Sequence, residues 1–217
     1  KAISKVFGKK RVEAIRICEH KDSGKGNEKI ECDCIAMSGG WSPVVHLYSH
    51  CGGKLTWDEK LALFRPDSSA KPTSYDGLPF VTAVGSANGF LLMQEVLKDA
   101  RVGCLDVIEA AGGKVNNKSF KVIDQEYENT PQAIWVSPED ADIKKRSKIW
   151  LDFQNDVKVN DVELAAREGF ESVEHAKRYT TLGMATDQGK LSNINGLAVL
   201  SSSLGKEIPK VGTTTFR

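Results

Sequence analysis

Residues 78–89 of this chain read LPFVTAVGSANG, and they give the clearest indication of a fold class. The apolar run 78–84, bounded by turn signals, is typical of a buried parallel strand. It leads into the glycine-rich segment 85–89 and then into residues 90–111, whose apolar side chains recur at nearly helical spacing. A strand, a glycine turn and a helix make up half of a dinucleotide-binding unit, so we predict an α/β fold. Gly103 is predicted to divide the helical segment into two helices.

The glycine turn offers two interpretations. N–H groups at the start of the following helix are unpaired donors that favour a phosphate, which would make Gly85 and its neighbours a phosphate-binding turn. Alternatively, Gly85 and the pair Asn88-Gly89 form a tight turn and nothing more. Because these residues lack the G-x-G-x-x-G fingerprint, spacing alone favours the simple turn.

Upstream of that stretch, residues 11–18 and 29–37 are predicted to form a β-hairpin with a long polar loop at 21–28. The five cysteines form an odd, irregular set, which argues against a disulfide scaffold and for reduced thiols. Cys32 and Cys34 have no second pair to complete a metal site. On an alternating strand they would share one face, so we predict that both are buried in the core.

The break at residues 38–43 contains Gly39 and Gly40 directly before Trp41. Two glycines permit positive φ or close approach of the backbone to a planar cofactor, and a strand-to-helix corner is an equally good interpretation. A short helix is predicted over 44–50. Its His46 and His50 could supply half of a metal site, but an ordinary exposed pair fits the spacing better because no acidic partner accompanies them. We predict no catalytic residue and no metal ligand in this chain.

The last third of the sequence is predicted to be helical. Three short helices follow from their caps and terminal glycines: one from Asn160 (with Glu163 as capping-box partner) to Gly169, one from Ser172 through Thr181 to Gly183, and one from Ser192 over 193–204 to Gly205. Such helices bury little alone, so this unit should dock on something larger. Between the two regions, residues 132–136 are predicted to form a strand and the basic run 144–148 a solvated face.

Composition excludes several classes of protein. The 217 residues correspond to one large or two small domains, and a net charge of +1 argues against a strongly basic nucleic-acid binder. No apolar run approaches the roughly 18 residues that a membrane span needs. Because the chain begins at Lys1 and stops within a β-prone run, we expect a piece of a longer polypeptide from the cytoplasm.

Several segments together resemble one known family. They are DCIAMSGGWSP at 33–43, DFQNDV at 152–157, AAREGF at 165–170 and VEHAKRYTTLGMATDQGK at 173–190. These segments resemble the α subunit of heterotetrameric sarcosine oxidase. The resemblance covers nearly the whole chain but only a middle portion of the family's α subunit.

The resemblance implies a domain layout. Residues 1–112 would form the C-terminal part of a two-dinucleotide-binding-domain fold of the FAD/NAD(P) type, and 113–150 a linker. Residues 151–205 would form a small helical domain, and 206–217 would connect it to a folate-binding aminomethyltransferase domain outside this chain. NAD would bind in the full α subunit, and the cofactor-binding residues expected here are Gly39, Gly40, Trp41, Gly85 and Ser86. Many relatives carry an acid where Ser86 stands.

The helical region is similar to the bacterioferritin-associated-ferredoxin-like [2Fe-2S] domain of related amine and proline dehydrogenases. Their four cysteine ligands fall here on Asp152, Gln154, Asp187 and Ser192. Iron–sulfur clusters need thiolates, so the resemblance implies a helical domain without a cluster. Ser192 is then free to cap the third helix.

The activity implied by the resemblance is oxidation of sarcosine to glycine with O₂, giving H₂O₂ and 5,10-methylenetetrahydrofolate. FAD and FMN would lie mainly with the β subunit, tetrahydrofolate in the downstream domain, and β, γ and δ subunits would be partners. This chain would contribute NAD-site walls and docking surface and would turn over no sarcosine by itself. The alternatives are a piece of a related amine, opine or proline dehydrogenase subunit, or a non-catalytic assembly domain. Neither a membrane nor a nucleic acid is expected as a partner.

Overall fold

The computed structural model describes residues 1–114, 122–123 and 132–212. The chain divides into two compact units, one made of Lys1–Gly39 with Ile134–Arg217 and the other of Gly40–Ala133. Within the described part, no helix is long and apolar enough to cross a membrane. The predicted linker at 113–150 and connector at 206–217 lie partly outside the described residues, and the domain boundaries stay a prediction.

The first unit begins with a three-stranded antiparallel sheet. Its strands are β1 (Ala2–Phe7), β2 (Ala14–Cys18) and β3 (Glu28–Glu31), hydrogen-bonded in that order. The predicted hairpin is confirmed as β2 and β3, whereas β1 was not predicted. Because β3 stops at Glu31, the strand does not carry Cys32 and Cys34 into the core; Cys32 is half-buried and Cys34 exposed, so the prediction of buried cysteines is wrong for this pair.

The rest of the first unit is a helical module with a small hairpin. It contains α3 (Ile143–Arg146), β6 (Trp150–Asp152), β7 (Val157–Lys158), α4 (Val159–Arg167), α5 (Val173–Thr180), α6 (Asn193–Leu204) and α7 (Ile208–Val211). Helix α4 packs against α5 and α6. The side chains Val159, Val162, Leu197 and Leu200 are almost completely buried there. This interior gives the module a core of its own.

The three predicted helices are all present, with one corrected start. Helix α4 begins two residues earlier than predicted: its N-cap is Lys158, whose backbone N–H donates to the Asp161 carboxylate at 2.8 Å. Glu163 is therefore not a capping partner and instead pairs with Arg146. Helix α6 has the predicted bounds, and Gly205 follows it with a φ of 61°. The Ser192 hydroxyl makes no capping bond to α6.

The basic run is not simply solvated. Lys145 Nζ donates to the Ser23 carbonyl at 2.6 Å, and the Arg146 guanidinium contacts Glu163 and the carbonyl of Ala141. The predicted solvated face is therefore correct for Lys144 and Lys148, which are exposed, and not for Lys145 and Arg146, which are half-buried and bonded within their own unit. The predicted strand at 132–136 is also absent; these residues form irregular backbone.

The second unit contains α1 (His46–His50), β4 (Leu55–Asp58), β5 (Leu63–Pro66), a 3₁₀ turn (Gly85–Asn88) and α2 (Met93–Ala110). The strand predicted at 78–84 is wrong: this segment has no strand partner among the described residues beyond a single bridge between Thr73 and Pro79. Gly103 does not divide α2. A Cβ at Gly103 would lie 2.4 Å from Val84 Cγ1, so the glycine lets the helix pack closely on that segment.

Candidate functional site

The turn after Val84 is held by a carboxylate from α2. Gly85 is buried with a φ of 61°, and its N–H donates to Asp99 Oδ2 at 2.7 Å. The Asn88 side-chain amide donates to the same carboxylate at 3.3 Å. The N–H that the sequence offers to a phosphate is thus already paired, and the negative charge of Asp99 opposes an anion at this point. Nothing in the sequence pattern marked Asp99 for this role.

Arg65 holds the other end of the same turn. Its Nε and Nη2 donate to the Asn88 carbonyl at 3.2 and 3.0 Å, and its Nη1 donates to Asp58 Oδ2 at 3.2 Å. A Cβ at Gly89, where φ is 89°, would lie 2.9 Å from Arg65 Nε, so the close approach requires glycine. Burial tends to raise the pKa of Asp58, but hydrogen bonds from the Leu61 N–H and from Arg65 outweigh it and hold that pKa below its ordinary value.

Ser86 presents an exposed hydroxyl on this turn. Within the second unit, no hydrogen bond or ring contact of the described residues joins Gly85 or Ser86 to Trp41. The structure therefore shows Gly85 and Ser86 in a tight turn fixed by Asp99 and Arg65. Their contact with a dinucleotide stays a prediction.

The segment around Trp41 is open. Gly39 and Gly40 have no heavy atom within 4 Å of the position that a Cβ would take, and Gly40 has a φ of 89°. The Trp41 side chain is 84% exposed. The backbone and the indole are both accessible to a planar ligand, which fits the predicted role without testing it. Gly39 ends the first unit and Gly40 begins the second.

In the helical module, Asp152 organises a polar loop between α5 and α6. It is 4% exposed, and its Oδ1 accepts hydrogen bonds from the backbone N–H groups of Gln154 and Asn155 at 2.9 and 3.1 Å. Its Oδ2 accepts one from the Gly183 N–H at 2.9 Å. One buried carboxylate therefore ties the β6–β7 turn to the loop that follows α5.

Two neighbours of Asp152 fasten the same loop. Gln154 Oε1 accepts from the Thr186 N–H at 3.2 Å and from the Thr186 hydroxyl, and Asn155 Nδ2 donates to the Thr181 carbonyl at 2.8 Å. Further along, the Asp187 carboxylate accepts from the N–H groups of Gly189 and Leu191 at 3.3 and 3.2 Å. Three of the four positions that carry cysteine ligands in the related dehydrogenases, Asp152, Gln154 and Asp187, thus bond to backbone of this loop.

Asn193 fills the centre of this loop. It is 1% exposed, and a Cβ at Gly183 or Gly189 would lie within 2.0 or 2.1 Å of its amide atoms. Ser192 beside it is also 1% exposed, and its Oγ has no hydrogen-bond partner among the described residues. The sequence analysis singled out Ser192 and missed Asn193. The available signal was the pair Gly183 and Gly189, because glycine is typical of positions with positive φ or a close approach, and both residues have a positive φ here.

The donor set of the loop does not fit an iron–sulfur cluster. Asp152, Gln154, Asp187 and Ser192 offer oxygen atoms where a cluster needs thiolates, and the first three already bond to backbone or hydroxyl donors of the loop. Elsewhere in the described residues, no group of three or more His, Cys, Asp or Glu side chains is placed to hold a metal ion. His46 and His50 lie edge to face, with 6.1 Å between the ring centroids.

Comparison with known proteins gives a consistent result along the chain. Residues 146–217 match the family described as the sarcosine oxidase A3 domain. The sarcosine oxidase subunit α of Rhizobium meliloti is 37% identical over 98% of this chain, and that of Corynebacterium sp. strain U-96 is 34% identical over 92%. The chain spans about a fifth of the length of either relative.

Among solved structures, L-proline dehydrogenase from P. horikoshii has a similar fold. The TM-score is 0.70 at 20% sequence identity, and the match covers 100% of this chain and 42% of the other. At that identity the likeness concerns the fold alone, and it supports a mixed α/β architecture with several helices.

Proposed function

We propose that this chain is part of a flavin-dependent oxidoreductase complex, because it belongs to the family of sarcosine oxidase α subunits and spans about a fifth of their length. The reaction proposed for the whole complex is oxidation of sarcosine to glycine with O₂, which gives H₂O₂ and 5,10-methylenetetrahydrofolate. The observation that supports it best is the identity of 37% across 98% of the chain. The relatives are named as subunits, which implies that other subunits exist, and the family resemblance is what suggests β, γ and δ chains as the proposed partners.

The cofactors of this proposal are FAD and FMN, mainly on the β subunit, NAD in the full α subunit, and tetrahydrofolate in a domain outside this chain. A flavin, when bound, accepts the hydride from the amine, and the protein orients the reactants. The residues of this chain would serve NAD. Gly39 and Gly40 present open backbone, Trp41 presents an exposed ring face, and Ser86 presents a hydroxyl.

Gly85 contributes to that site by shape. Its N–H is paired with Asp99 and is not free for a phosphate, so its proposed role is to bend the backbone that presents Ser86. The helical module would be a cluster-free relative of the [2Fe-2S] domain that serves as docking surface. Its loop is already held by Asp152, Gln154 and Asp187.

A titration of NAD into the assembled α subunit tests the nucleotide role. Trp41→Ala removes an 84% exposed aromatic face and is expected to weaken NAD binding about tenfold. Met37→Ala removes a side chain that is 85% exposed nearby in the sequence, and it is expected to leave the affinity unchanged. Equal affinity in all three proteins would contradict the role of Trp41.

Peroxide formation tests the catalytic role. We expect the assembled complex to release H₂O₂ from sarcosine and the 217-residue chain alone to release none. Peroxide from the purified chain, or its absence from the complex, would contradict the proposal.

A non-catalytic assembly domain is the second candidate. The observation that favours it is the Asp99 carboxylate on the Gly85 N–H, which blocks the anion position of a nucleotide turn. Absence of NAD binding to the full α subunit, together with normal assembly of the complex, would support this function instead.

A further inference from the structure

Three cations lie side by side across the sheet of the first unit. Lys5 on β1 is paired in register with Arg16 on β2, and Arg16 is paired with Lys29 on β3. Neighbouring strands lie about 4.8 Å apart, so the row places three positive charges over roughly 10 Å. We call Lys5, Arg16 and Lys29 the basic row.

All three cations lie on the same face, around one aromatic ring. The distances to the centroid of the Phe7 ring are 4.8 Å for Lys5 Nζ, 5.2 Å for Arg16 Cζ and 5.4 Å for Lys29 Nζ. Each contact is a cation–π attraction between the positive charge and the ring face. One ring therefore draws three like charges together.

The three like charges also repel one another across the strands. Like charges directly opposite each other on neighbouring strands are destabilising, and here the repulsion occurs twice in one row. Within the described part of the chain, none of the three cations forms an ion pair with an acidic side chain. An anion that neutralises the row would relieve that repulsion.

An open cavity of about 550 Å³ lies at the same face. Phe7, Lys9 and Lys29 line it, together with Glu13 and Glu31. Its size suits a small ligand. Glu13 and Glu31 balance Lys9 and Lys29 in this lining, so the excess positive charge comes from the neighbouring side chains of the basic row, of which only Lys29 lines the cavity. The net charge of +1 for the whole chain disfavours nucleic acid.

We propose that the basic row and the Phe7 cavity bind a small ligand that carries two adjacent phosphate groups, a pyrophosphate or its ester. The Arg16 guanidinium, at the centre of the row, has the planar fork that binds phosphate oxygens in pairs, and each flanking ammonium supplies a point charge. The apolar ring of Phe7 forms a wall for the bound ligand. The residues differ from those proposed for NAD, so this site does not depend on the proposed function.

Calorimetric titration of inorganic pyrophosphate into the assembled protein tests the site. Lys29→Gln is expected to weaken binding about tenfold, as loss of a charge-assisted hydrogen bond would. The matched control is Lys25→Gln, an exposed lysine in the β2–β3 loop, and it is expected to bind as the unchanged protein does.

A second readout separates binding from folding. Because Lys29→Gln removes one of two repulsive neighbours, the variant is expected to melt no lower than the unchanged protein while it binds pyrophosphate less well. Added pyrophosphate is expected to raise the melting temperature of the unchanged protein more than that of the variant.

A competition experiment with NAD shows which pyrophosphate-containing ligand the site binds. Unchanged affinity in the presence of saturating NAD indicates a free pyrophosphate or another ester, and competition indicates the pyrophosphate of the dinucleotide. The absence of saturable binding would overturn the proposal. So would equal weakening by Lys25→Gln, or binding of a polyglutamate peptide without binding of pyrophosphate.

Discussion

Helices α6 and α2 are the two longest helices described in this chain, and they are packed in opposite ways. Seven of the 12 residues of α6 are buried, whereas none of the 18 residues of α2 is buried. Helix α2 also carries several apolar side chains that are largely exposed, among them Met93, Val102 and Val107. The helical module thus encloses its own core, while the second unit leaves an apolar helix face open in this chain.

The largest expected difference comes from removing one apolar side chain from each helix. Leu197 in α6 is 0% exposed, so Leu197→Ala leaves a cavity and is expected to cost about 4 kcal/mol of unfolding free energy. Val107 in α2 is 56% exposed, and Val107→Ala is expected to change stability by less than about 0.5 kcal/mol. Hydrogen exchange of the amides in each helix measures both values locally. Similar costs at both sites would contradict the comparison.

The glycines that close on Asn193 give the next largest effect. Gly183→Ala would place a Cβ 2.0 Å from Asn193 Oδ1 at a φ of 66°, and we expect it to cost about 3 kcal/mol through overpacking and backbone strain. Gly169→Ala is the matched control, because φ there is 91° and the space is open; it is expected to cost about 1 kcal/mol. Urea unfolding of the two variants compares the costs, and equal values would show that the close contact with Asn193 is unimportant.

The same contrast explains which features the sequence could predict. The predicted bounds of α6 are correct, and Gly205 ends the helix as a terminal glycine does within one turn, although the Ser192 hydroxyl makes no capping bond at its start. Residues 78–84 have the composition of a buried strand but lack a partner strand in the described chain, and composition carries no information about partners. The sequence analysis did not predict the β4–β5 hairpin. The turn between Asp58 and Leu63 contains no Gly, Asn or Pro, and Asp58 at its start is the only residue typical of a turn.

The candidate site residues stay a prediction. Gly39, Gly40 and Trp41 came from the glycine pattern and Ser86 from the family resemblance, and the structure shows that all four are accessible. The pairing of Asp99 with Gly85 joins residues 14 apart through a turn, and no periodic pattern encodes such a contact. Resemblance to a family supplied the four aligned positions in the module, and the structure showed what their side chains bond to.

The two units can also be compared by the carboxylate that holds a turn in each, Asp152 in the first unit and Asp99 in the second. Asp152 is buried and accepts three backbone N–H bonds, so Asp152→Asn is expected to cost about 2 kcal/mol. Asp99 is half-buried and accepts from Gly85 and Asn88, so Asp99→Asn is expected to cost about 1 kcal/mol. Hydrogen exchange at residues 181–192 and 85–90 is the measurement. A larger cost at Asp99 would show that the second unit is the more tightly held one.

Acid titration gives the smallest expected effect and concerns the second unit. The pKa of Asp58 is held below its ordinary value, which is about 3.9 in an unfolded chain, because the Leu61 N–H and Arg65 bonds outweigh the effect of burial. Its contribution is therefore fully present above that value and is lost as the pH falls through the lower folded-state pKa. Since the pair with Arg65 is partly exposed, the loss should be less than about 1 kcal/mol.

Trp57 lies in the same hairpin, with its ring edge to face against Phe64 at a centroid distance of 4.9 Å. Its fluorescence can follow the unfolding of this unit between about pH 5 and pH 2, the range in which the Asp58 contribution is lost. Asp58→Asn is expected to be less stable than the unchanged protein at neutral pH and to lose less stability on acidification, because it has no carboxylate to protonate. Asp106→Asn, on the exposed surface of α2, serves as the control and should follow the unchanged protein. The same loss of stability at low pH in all three proteins would mean that the Arg65–Asp58 contact does not hold the turn at Gly89. The second unit would then be less stable than its hydrogen bonds indicate.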